Sequence, residues 1–106
     1  MKKIVCAALF LACSFASPAS ANIDCVRDRA PVEQLICSDG ELIVLDGKMS
    51  QRYFALRNFS GRRDADNLLQ NQRSWLRERN QCRNTGCLKL YYNSRITLLQ
   101  SVIDSY

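Results

Sequence analysis

Gln72-Arg73-Ser74-Trp75-Leu76-Arg77-Glu78-Arg79-Asn80-Gln81-Cys82 holds the only tryptophan of the chain and ends on a cysteine, with Cys87 a short break further on. Read back to Ala65, the face Ala65, Leu68, Leu69, Gln72, Trp75, Leu76, Arg79 steps by three and four residues, the period of one helix face. The Arg and Asn side chains fall mostly on the other side. The stretch therefore predicts an amphipathic helix from Ala65 to about Gln81, roughly 25 Å long, pinned by sulfur at its C-terminal end. A lone Trp on an apolar stripe is usually a large buried ring, so Trp75 is assigned to the core.

Working outward, Ser38-Asp39-Gly40-Glu41 has the spacing of a capping box, with Ser38 and Glu41 satisfying each other's backbone amides. A helix should start there, with the stripe Leu42, Leu45, Met49, Tyr53, Leu56, widened by Ile43 and Val44. Gly47 lowers helix propensity by about 1 kcal/mol against Ala, which suggests a close approach by a neighbouring helix. The polar run Asn58-Phe59-Ser60-Gly61-Arg62-Arg63 breaks the pattern, and Asp64 is placed to cap the Trp75 helix. The break is short enough to make the flanking helices antiparallel. Beyond a second turn at Asn80–Gly86, a third long helix should run from Cys87 to about Ile103. Its face is Leu88, Tyr91, Tyr92, Arg95, Leu99 and Val102, broadened by Leu98 and Ile103. Pro31 fits the first position of a short helix ending at Cys37. The expected fold is all-α: a small disulfide-bonded bundle of three main antiparallel helices plus a short N-terminal helix.

The first residues are of another kind. A basic start at Lys2 and Lys3, an apolar run from Ile4 to Phe15 too short to span a bilayer, and Ala19-Ser20-Ala21 read as a secretory signal peptide over residues 1–21. The domain is then 22–106, periplasmic or secreted. The alternative is lipoprotein processing and a lipid anchor at Cys13. Cleavage would leave Cys25, Cys37, Cys82 and Cys87, which read as two disulfides in an exported chain of this size. Three pairings are open; Cys25–Cys37 with Cys82–Cys87 is favoured because each closes a short loop. A metal site is not expected: the chain has no His, and the Cys spacings do not form two close pairs. Nor is a cofactor. The net charge of +5 falls to +3 without Lys2 and Lys3. With no stacking-aromatic pattern, that surplus reads as a solvated face rather than a nucleic-acid surface.

Antiparallel helices gather the cysteines at one end and leave the Phe59 turn and the C-terminus at the other. Asp46 and Arg79 border neighbouring stripes at similar heights, which predicts an ion pair between them, with Arg73 or Arg77 as rival partners. The partner-binding candidates are Phe59, Gly61, Arg62 and Arg63. An apolar ring is not needed to make a short polar turn: either Phe59 folds back onto the helix ends, or it is an anchor, since aromatic and Arg side chains carry much of the energy at interfaces.

Three blocks together carry a resemblance. They are Asp24-Cys25 with Pro31-Val32-Glu33-Gln34-Leu35-Ile36-Cys37 and Leu42-x-x-Leu45-Asp46; Gln72-Arg73-x-Trp75-Leu76-x-x-Arg79-x-x-Cys82; and Cys87-Leu88-x-x-Tyr91-x-x-Arg95-Ile96-x-x-Leu99. From Asp24 to about Leu99 the chain resembles the lysozyme inhibitor LprI-like N-terminal domain family of small exported bacterial proteins. The resemblance implies an all-helical, disulfide-bonded envelope protein and suggests a lysozyme as partner. Animal lysozymes are basic, as is this chain, so their association would lack long-range electrostatic steering.

An enzyme is not expected. There is no His, the cysteines should be oxidised and carry no thiolate nucleophile, and Glu78 sits among Arg residues that keep it ionised. A paired-carboxylate glycosidase needs one raised pKa. The reading is an exported, monomeric, non-enzymatic binding protein, with an envelope structural or stress-related module as the alternative.

Overall fold

The structure is a computed structural model and describes residues 23–27 and 30–106. The signal peptide over 1–21 and the alternative anchor Cys13 lie outside the described residues. Four helices follow in order: α1 (Pro31–Cys37), α2 (Gly40–Phe59), α3 (Arg62–Arg79) and α4 (Thr85–Asp104). There is no strand among the described residues, and no described helix is long and apolar enough to cross a membrane. The expected all-α architecture is the observed one.

Each boundary has a local cause. Pro31 opens α1, where its missing N–H has no partner to lose. Ser38 then closes that helix: its N–H and its hydroxyl both donate to the Leu35 carbonyl. So occupied, Ser38 does not form the expected capping box. Asp39 caps α2 instead, its Oδ1 accepting from the amides of Glu41 (2.9 Å) and Leu42 (3.2 Å). Chiefly the Leu42 amide holds the Asp39 carboxyl below its ordinary value. The cap is therefore in force above the usual carboxylate range and is lost as pH falls through it. At the other end of α2 the helix persists through Phe59, so only Ser60 and Gly61 form the turn. Arg62 and Arg63 belong to α3, and Asp64 lies within its first turn rather than at its cap. Asn84 caps α4, accepting from the Cys87 amide at 2.8 Å.

Contacts along the chain fix the topology. Lys89 near the start of α4 pairs with Asp39 and Glu41 near the start of α2 (3.5 and 3.1 Å). Arg52 donates to Gln100 further along, and Phe59 meets Tyr106 at the far end. Thus α2 and α4 run parallel and form the closest pairing of the bundle, while α3 runs antiparallel to both. Cys25–Cys37 ties the N-terminal lead-in to the end of α1, and Cys82–Cys87 spans the α3–α4 turn, with Cα separations of 5.5 and 5.6 Å. This is the favoured pairing, and it places both bridges at one end.

Leu42, Leu45, Met49, Tyr53 and Leu56 are buried as the stripe predicts, together with Trp75, Leu88, Tyr92 and Leu99. The stripes are narrower than expected. Ile43 and Val44 lie roughly 100° and 200° around the helix from Leu42, and they are 42% and 56% exposed. Leu98 is exposed as well. Nothing approaches the position of a Cβ on Gly47 within 4 Å, so the close helix contact expected there is absent.

Candidate functional site

The end of the bundle away from the disulfides carries the residues singled out for partner binding. Phe59 is 58% exposed and Tyr106 62%; their rings lie 6.2 Å apart in a tilted pair. The last turn of α2 and the last residue of the chain thus build one exposed aromatic face. Arg62 and Arg63 are exposed beside it, on the first turn of α3. Cations there oppose the helix dipole, and Asp64 in the same turn offsets them. Gly61 has φ −70° and ψ 173°, a conformation open to any residue, so its backbone freedom is not used. These four residues stand on a two-residue turn and its flanking helical turns rather than on a six-residue loop. The sequence reading missed Tyr106, whose place beside Phe59 follows from the parallel course of α2 and α4.

Next to this end, α3 stands off from α4 and leaves a groove. Its first part is a cavity of about 380 Å³ walled by Leu56, Leu68, Leu98, Leu99, Val102 and Tyr106, with Asp64, Asn67 and Asn71 along the α3 side. A second cavity of about 300 Å³ follows toward the cysteine end, lined mainly by Asn71, Ser74, Trp75, Glu78, Tyr91 and Ser94. Arg95 and Leu98 line both.

Arg95 is 3% exposed. It clamps α4 to α3: Nε and Nη2 donate to Gln72 Oε1 (3.1 and 2.7 Å), and Nη1 donates to Asn71 Oδ1. Gln72 passes the network on, its Nε2 donating to the sulfur of Met49 in α2 at 3.2 Å. The guanidinium also lies 5.7 Å from the centre of the Trp75 ring, where the ring's quadrupole favours a cation. Burial pushes its pKa below the ordinary value, and the Glu78 carboxylate acts the other way.

A second buried polar group sits toward the cysteine end. Asp46 is 1% exposed and Arg79 4%, but they do not form the direct ion pair expected. The Tyr92 hydroxyl stands between them, donating to Asp46 Oδ1 (2.9 Å) and accepting from Arg79 Nη1 (3.2 Å). Asp46 Oδ2 accepts from the Ile23 amide at 2.9 Å, and Arg79 reaches Glu33 at 3.8 Å. The expected rivals do not serve either: Arg77 donates to Ser74 on its own helix, and Arg73 is exposed. Burial, then the Asp46 charge, push the Tyr92 phenol well above its ordinary value, with Arg79 opposing. Trp75 packs edge-on against the Tyr92 ring at 5.3 Å and is 7% exposed, so it is core.

Four carboxylates among the described residues have structural work in this arrangement. Asp39 caps a helix, Glu41 holds Lys89, Glu33 on α1 meets Arg79 on α3, and Asp46 on α2 accepts from Tyr92 on α4. Among the described residues no group of three His, Cys, Asp or Glu side chains forms a metal cage.

Among curated proteins and among solved structures, nothing matches this chain. A family model described as lysozyme inhibitor LprI matches residues 25–101, a span that takes in both disulfides, both buried polar groups and all but the last turn of α4. The chain belongs to the LprI lysozyme inhibitor family.

Proposed function

We propose that this protein is a non-enzymatic inhibitor-type binder acting outside the cytoplasm, that its partner is a lysozyme-type glycosidase, and that the Phe59–Arg63 end makes the contact. The observation that carries the reading is the exposed Phe59–Tyr106 pair beside Arg62 and Arg63, on a chain of a lysozyme-inhibitor family. A rigid aromatic anchor flanked by guanidinium groups suits a concave, carboxylate-bearing cleft. The attraction is local, so it works against the unfavourable net charge of two basic proteins and weakens with salt.

The test is a titration of the oxidised protein into muramidase assays with animal and bacterial-type lysozymes. Saturable inhibition is expected, weaker at high salt. No effect at large molar excess on either type overturns the choice of partner. The triple variant Phe59→Ser, Arg62→Ala, Arg63→Ala alters only exposed side chains and should fold. If it inhibits as well as the parent, the contact lies on an outward helix face instead.

A further inference from the structure

We infer that the α3–α4 groove is a binding site for a single-chain anionic amphiphile, with the anionic head on Arg95 and the alkyl chain in the cavity that runs toward Tyr106. This site is distinct from the exposed Phe59 face and does not rest on the inhibitor reading.

The head group is argued from Arg95. A guanidinium cannot shed its charge to suit a dry site, and buried charges in proteins are normally paired with an opposite charge. Arg95 is buried, yet among the described residues no carboxylate lies within ion-pair distance of it. Its hydrogen-bond partners are the neutral amides of Gln72 and Asn71. These take only part of its five N–H donors. The Tyr53 hydroxyl is also buried and has no hydrogen-bond partner among the described residues. A buried guanidinium bonded only to neutral amides, at the junction of two cavities, points to an anion as its missing partner.

The tail is argued from the two cavities that meet at Arg95. On one side the wall is aliphatic: Leu56, Leu68, Leu98, Leu99 and Val102. On the other, Asn71, Ser74 and Ser94 share the wall with the rings of Trp75 and Tyr91. Glu78 beyond them and Asp64 on the far rim disfavour an anion at either extremity. The place left for a negative head is the middle, and the place for a chain is the aliphatic side. A volume of about 380 Å³ is within the usual range of small-ligand sites, which combine an apolar lining with few polar groups.

Three amphiphiles of one chain length, used below their micelle concentrations, test this without altering the protein: dodecanoate, dodecanol and dodecyltrimethylammonium. Calorimetry should give one saturable site for dodecanoate. Trp75, which lines the second cavity beside Arg95, should report it by a change in fluorescence. Dodecanol should bind at least about tenfold more weakly, the usual weight of a desolvated hydrogen bond to charge, and the cationic amphiphile not at all. Leu98→Glu puts a carboxylate where the head group would sit. Leu98 is half exposed, so the variant should melt like the parent and lose dodecanoate binding. Equal affinity for all three amphiphiles, no saturable binding of dodecanoate, or binding untouched by Leu98→Glu each overturns the proposal.

Discussion

One phenolic oxygen, that of Tyr92, joins a buried anion on α2 to a buried cation on α3. Tyr92→Phe keeps the ring packed on Trp75 but leaves Asp46 short of a donor, and the loss should be about 1–3 kcal/mol by denaturant titration. The same hydroxyl predicts a pH effect. Its folded pKa lies above the ordinary value of 10.0, so above that pH the unfolded chain gives up a proton that the native state keeps. The native state then binds more protons, and stability falls as pH rises. The parent should lose stability above about pH 10 more steeply than Tyr92→Phe, measured by melting temperature across alkaline buffers. Trp75→Ala removes a ring seated between Tyr92 and Arg95; a loss of about 3–5 kcal/mol is expected. The periodicity put Asp46 and Arg79 at one height on adjacent helices, and the structure agrees. What it did not reveal is that a tyrosine, read as an apolar stripe residue, would stand between them.

At the scale of the helix, periodicity located each face but not its width. Ile43, Val44 and Leu98 are apolar and border true core positions, yet a third neighbour would be needed to cover them. Helix ends were less legible, because adjacent residues compete for the role. Ser38 has the capping-box spacing to Glu41, but its N–H and hydroxyl are taken by the end of α1, and Asp39 caps α2. The polar run around Phe59 broke the stripe because α2 ends and α3 begins on exposed turns there, and only Ser60 and Gly61 leave helical conformation. Gly47 gives the sharpest prediction at this level. It sits inside α2 with open space where a side chain would begin. Gly47→Ala should therefore stabilise the protein by about 1 kcal/mol, seen as a higher urea midpoint with an unchanged slope.

For the molecule as a whole, four helices and two bridges enclose a modest core, and reduction should weaken it. Loop-closure entropy gives about 3 kcal/mol for Cys25–Cys37 and about 2 kcal/mol for the shorter Cys82–Cys87 loop. Cys25→Ser with Cys37→Ser should accordingly lower the melting temperature more than Cys82→Ser with Cys87→Ser. The groove was the least legible feature. Helix phase tells which residues face a neighbour, but how far α3 stands from α4 depends on how the side chains of all three long helices interlock. Arg95 was read simply as a member of the α4 stripe. The disulfide pattern was legible from loop length, and it bears on how the protein is made. Of the described cysteines, the first joins the second and the third joins the fourth. If residues 1–21 are removed, as the signal-peptide reading expects, a chain oxidised as it emerges from a narrow exit would meet each native partner before any competitor appeared. On that route no wrong bridge would have to be undone, so oxidation would need an electron acceptor but no shuffling catalyst. Reduced protein that presents Cys25, Cys37, Cys82 and Cys87 one pair at a time to an oxidant should reach the native form at the same yield with or without an added isomerase.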